Sequence, residues 1–108
     1  MQVYAGDTVF AWVYLNSASP TSEIMLSWYD GSSWEHRAYW GVNEITNGNS
    51  GTASRYYAGP LPATGKWAIL SVPASAVGLE GAAVSGMSFS LYNGGVTWDA
   101  IGRSSSSP

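Results

Sequence analysis

The stretch from Trp28 to Trp40, WYDGSSWEHRAYW, gathers the side chains best equipped for chemistry: five aromatic rings, an aspartate, a glutamate, an arginine and the only histidine of the chain. Over the full length, 13 of the 15 aromatic residues are Trp or Tyr. Such rings offer a broad apolar face with a hydrogen-bonding edge, which suits ligands that are apolar on their faces and wet at their rims: sugars, bases or peptide segments. A sugar needs one or two rings under its C–H face and planar donors or acceptors around its hydroxyls. Arg37 supplies a rigid fork of donors, Glu35 an acceptor, and His36 either. The same rings could instead fill the core of a small β protein.

Catalysis is less well provided for. His36 stands without a cysteine, and no GxSxG elbow singles out one of the many serines. HExxH and paired-histidine spacings are missing. Glu35 with Asp30 or Glu44 could form a glycosidase-like carboxylate pair, but nothing in their spacing requires it. We therefore expect a binding module and not an enzyme, with no cofactor required. Only 10% of residues are charged, the net charge is −3 and there is no basic run, which disfavours nucleic acid. The longest apolar runs are far too short to span a bilayer, so membrane insertion is not expected. No leader pattern opens the chain, and a signal peptide is expected to lie upstream of Met1.

At 108 residues the chain suits one domain, read as residues 1–103, and SSSSP at 104–108 reads as a linker remnant joining neighbouring domains. The apolar residues alternate, which predicts strands joined by turns. Six are expected: Val9–Leu15, Ile24–Tyr29, Trp34–Trp40, Trp67–Val72, Met87–Tyr92 and Val96–Ile101. The first puts Val9, Ala11, Val13 and Leu15 on one face and Phe10, Trp12 and Tyr14 on the other. The last two are expected to form a hairpin about Asn93-Gly94-Gly95, with Met87, Phe89 and Leu91 facing inward beside Val96, Trp98 and Ala100. Pro73–Leu79 predicts one helical turn, ended by Gly78. The polar, Gly-rich residues from Thr46 to Gly65 predict a loop crossing between sheets. The whole reads as an all-β, antiparallel β-sandwich of jelly-roll type with at most one short helical turn.

Asp30-Gly31-Ser32-Ser33 separates the second and third strands, and the parity of that connection decides which face each ring occupies. With three loop residues, Trp28 pairs with Trp34. Ile24, Leu26, Trp28, Trp34, His36, Ala38 and Trp40 then face inward, while Met25, Ser27, Tyr29, Glu35, Arg37 and Tyr39 face outward. With two or four, Ser27, Tyr29, Trp34, His36 and Trp40 form the surface and Glu35 and Arg37 turn in. Burying two charges is costly, so the first arrangement is preferred, with Trp12 and Tyr14 completing an open aromatic face. Should that sheet not bind, Arg55, Tyr56 and Tyr57 are the next candidates.

The C-terminal half, WAILSVPAS from Trp67, then VGLEG from Val77, VSGMSF from Val84 and GVTWD from Gly95, resembles bacterial extracellular β-sandwich modules with a galactose-binding-like jelly roll. Together with WYDG at Trp28 and WEHRAYWG at Trp34, the chain also resembles modules of large secreted or cell-surface bacterial proteins, including those with RHS or YD repeats. This resemblance covers most of residues 7–103 and implies non-catalytic, lectin-like carbohydrate binding, with a poly- or oligosaccharide as partner. A structural or adhesive domain contacting protein is the alternative, since fold alone does not fix the ligand. Many such modules also carry a structural calcium, for which Asp99 is the expected ligand, with Asp7 nearby.

Overall fold

The computed structural model describes residues 1–18, 21–48 and 51–104, the side chain of Ala100 excepted. Among these are seven strands: β1 Thr8–Leu15, β2 Glu23–Tyr29, β3 His36–Gly41, β4 Tyr56–Gly59, β5 Trp67–Pro73, β6 Gly86–Tyr92 and β7 Val96–Ser104. They form two sheets, one ordered β5-β1-β7 and the other β4-β3-β2-β6. All pairings are antiparallel except β3 with β4. The protein is an all-β sandwich, and the one helical element among the described residues is the 3-10 turn Ala74–Val77, which follows Pro73 and ends at a left-handed Gly78.

The core lies between the sheets and follows the period-two alternation of the sequence. Val9, Ala11, Val13 and Leu15 of β1 are buried against Ile24, Leu26 and Trp28 of β2, Ala38 and Trp40 of β3, and Leu70 and Val72 of β5. Each aliphatic side chain fully removed from water contributes about 1.5–3 kcal/mol. Such burial outweighs the ordering cost only because every strand presents an apolar row to the same layer.

Three expectations are corrected. β6 and β7 belong to opposite sheets and do not pair; their connection is a corner, with Asn93 and Gly94 both at positive φ. The inward sides of β6 and β7 therefore meet across the core, and the rings of Phe89 and Trp98 lie 4.2 Å apart. Within the stretch expected to be loop, Tyr56–Gly59 forms a short edge strand, where Tyr56 opposite Ala38 packs on the core. Its four residues carry too little alternation to stand out in a sequence. Ser104, read as linker, closes β7 opposite Thr8, whereas residues 105–108 lie outside the described residues.

Candidate functional site

The β2–β3 register pairs Trp28 with His36, Leu26 with Ala38 and Ile24 with Trp40. Seven residues thus separate Trp28 from His36, an odd number, and the faces fall as the three-residue reading placed them with one exception. Trp34 lies in the connection outside the strand, 38% exposed. It turns over the outer side of the sheet and stacks on Tyr29, with ring centroids 5.1 Å apart at 30°. Residue 86 is glycine where this indole passes, and a Cβ there would meet the ring.

His36 is satisfied on both sides. Its Nδ1 donates to the Val77 carbonyl at 2.7 Å, and its Nε2 lies 2.8 Å from Asp30 Oδ2. Asp30 in turn accepts the backbone N–H groups of Ser32 and Ser33, which closes the connection into a tight turn. The His36 hydrogen bond, helped by these two N–H groups, holds the Asp30 carboxyl down at about 2. His36 and Trp40 accordingly serve the interior: one ties the connection to the 3-10 turn and the other fills core.

On the outer side of this sheet, Ser27, Arg37 and Ser88 form one row, and Ser90, Met25 and Tyr39 the next. Residues 42–48 and 51–55 are tied back to this sheet, Ala53 and Ser54 by their carbonyls to Arg37. At Gly41 the chain leaves β3 at φ +95, so close to the Ser22 carbonyl that a side chain has no room. The carboxylate of Glu23 reaches out from β2 to accept the backbone N–H groups of Glu44 and Ile45, and Arg55 Nη1 donates to the Ile45 carbonyl. Tyr39 is only 5% exposed, with its ring 5.2 Å from that of Tyr57 on the neighbouring β4. Tyr39 is thereby corrected from an open stacking ring to a buried support.

What stays open is a pocket of about 370 Å³ lined by Ser27, Trp34, Arg37, Asn47, Met87, Ser88 and Ser90. Its floor is serine, its wall the indole of Trp34 and its far rim Asn47 on the covering loop. Arg37 is fixed there by Glu35 Oε2 at 2.8 Å and the Ser54 carbonyl at 3.3 Å, while Gly48 packs so near its Nη1 that a Cβ could not fit. Ser88, Ser90 and Asn47 were not singled out in the sequence, although the alternation Met87-Ser88-Phe89-Ser90-Leu91 carries the signal of a polar outer face.

Trp12 and Tyr14 do not join this face. β1 is the middle strand of the other sheet, so they stand on the opposite side of the sandwich. There Trp12 lies between Ile69 and Asp99, and Tyr14 between Trp67 and Thr97. Trp12, Trp67 and Ile69 are exposed on this second surface. Asp99 faces it too, roughly 17 Å along the ladder from Asp7 at 3.4 Å per residue. Asp7 is buried and accepts from Tyr4 N–H and from Arg103. The two carboxylates expected to share a calcium are thus kept apart, and no cluster of three metal-ligating side chains occurs among the described residues. No helix among them is long and apolar enough to cross a membrane.

In comparisons with known proteins, no family model, no curated protein and no solved structure matches the chain.

Proposed function

We propose that this domain is a non-catalytic carbohydrate-binding module of a larger secreted or cell-surface protein, and that it takes a sugar residue of an oligo- or polysaccharide in the pocket beside Trp34. The observation that carries this reading is the pairing of an exposed indole, braced from behind by Tyr29, with a floor of Ser27, Ser88 and Ser90 and a fixed guanidinium. A pyranose has the same division: an apolar C–H face for the ring and hydroxyls for the serines, Arg37 and Asn47. The open rim leaves part of such a ligand hydrated, so affinity belongs in the micromolar to millimolar range, about 4–8 kcal/mol. The resemblance to galactose-binding-like modules points the same way.

The experiment is a glycan array followed by calorimetry on the isolated domain. Binding of a defined glycan that is lost in Trp34→Ala supports the reading; retention of full affinity in that variant overturns it. The second face, with Trp12, Trp67 and Ile69 exposed, favours a second reading, an adhesive domain contacting protein, because large exposed apolar side chains on one face also serve protein partners.

A further inference from the structure

Each sheet has two edge strands, and three of the four carry features that discourage further pairing. β4 has four residues and an irregular register. β5 is preceded by Lys66 and ends in Pro73, which has no N–H to offer. β7 contains a register shift and carries Asp99 and Arg103. β6, GMSFSLY, has none of these: no charge, no proline and an unbroken register along β2.

We propose that β6 is a self-association edge, through which two copies of the domain pair antiparallel about a two-fold axis at Phe89. Charge does not oppose it, since β6 is neutral although the whole chain is at −3. The register follows from what already occupies the neighbouring backbone. Just before β6, Met1 and Val84 exchange hydrogen bonds on both sides, which closes Val84 to another strand. The register that pairs all of Gly86–Tyr92 with itself is centred on Phe89 and stops short of Val84. It sets Gly86 opposite the partner's Tyr92 and Ser88 opposite the partner's Ser90.

That register is complementary in size as well as in charge. Tyr92 is 43% exposed, and Gly86 has no side chain of its own and lies under the edge of the Trp34 indole, so each tyrosine arrives beside the other copy's Trp34 and meets no side chain at residue 86. On the inward side, the partner's Leu91 arrives opposite Met87, at the mouth of an apolar cleft of about 310 Å³ lined by Met1, Trp28, Val84 and Ile101 among others. Pairing also brings two serine-floored pockets together across the new strand pair, with the partner's Tyr92 extending the wall begun by Trp34. This last step rests on the carbohydrate reading: the dimer presents one continuous groove that favours an oligosaccharide over a monosaccharide.

The test is the mass of the unliganded domain by analytical ultracentrifugation up to roughly 100 μM, where even weak specific association registers. A dimer is expected, with Tyr92→Lys shifting it to monomer while circular dichroism and melting stay unchanged. Register is read separately: the chain has no cysteine, so S88C/S90C should form a disulfide-linked dimer on mild oxidation. A wild-type monomer throughout, or an unchanged mass in folded Tyr92→Lys, overturns the proposal; a dimer without cross-linking overturns the register. Because these measurements use no sugar, a dimer that binds no glycan would overturn the carbohydrate reading and leave the association standing.

Discussion

Glu23 and Glu44, two residues of like charge, are joined: the fully buried Glu23 carboxylate accepts the backbone N–H of Glu44 at 2.7 Å, and that of Ile45 at 2.9 Å from the same oxygen. The bond uses the Glu44 backbone and leaves its exposed side chain in water. It anchors the loop that forms the far rim of the pocket. Glu23→Ala removes the shared acceptor of two partly buried donors, a loss of about 1–3 kcal/mol in all. Urea denaturation should show that fall, and hydrogen exchange should show faster exchange at Glu44 and Ile45 than elsewhere.

Trp34 and Trp40 separate binding from folding. Trp34→Ala removes a ring from the surface, and should lower glycan affinity more than tenfold with a nearly unchanged melting temperature. Trp40→Ala opens the core and should cost about 3–5 kcal/mol in chemical denaturation. Tyr39→Ala belongs with Trp40, because its ring is buried against that of Tyr57.

Arg37 acts on both properties. Its side chain is 12% exposed and holds the Ser54 carbonyl besides facing the pocket. Arg37→Ala should abolish glycan binding in calorimetry and also lower stability by about 1–2 kcal/mol, the worth of hydrogen bonds to a charged group less what water restores.

Asp30 sets an acid limit. Its folded pKa of about 2 lies below the ordinary 3.8, so its contribution to stability is complete above the ordinary value and is lost as pH falls through the folded one. Melting temperatures between pH 5 and pH 2 should fall more steeply in wild type than in Asp30→Asn. Parallel curves would deny the His36–Asp30 link that role.

The strands were legible because alternation survives in the sequence wherever one face is buried: Val9, Ala11, Val13 and Leu15 announced their own burial. Parity of the β2–β3 connection was legible too, since the wrong parity would have buried Glu35 and Arg37. Sheet membership was not. Nothing in Phe10-Ala11-Trp12-Val13-Tyr14 says that its aromatic side and that of Arg37 point away from each other across the sandwich, because that depends on partners far along the chain. The tie between Glu23 and residues 44 and 45 was equally hidden, since it hangs on one carboxylate meeting two backbone donors with no periodic signature.

The placement of β1 between β5 and β7 has a consequence for biosynthesis. Both its neighbours are made long after it, Ser104 being the partner of Thr8 at nearly the full length of the chain. At roughly 5–20 residues per second on the ribosome, the strand waits for seconds with Trp12 and Tyr14 unshielded. Its second ladder can close only once the last strand has emerged, and such distant pairing places folding in the millisecond-to-second range of β-sandwiches. A nascent chain halted before Val96 would hold the four strands β4, β3, β2 and β6 but leave β1 with a single neighbour, a half-built sheet open to any other strand in reach.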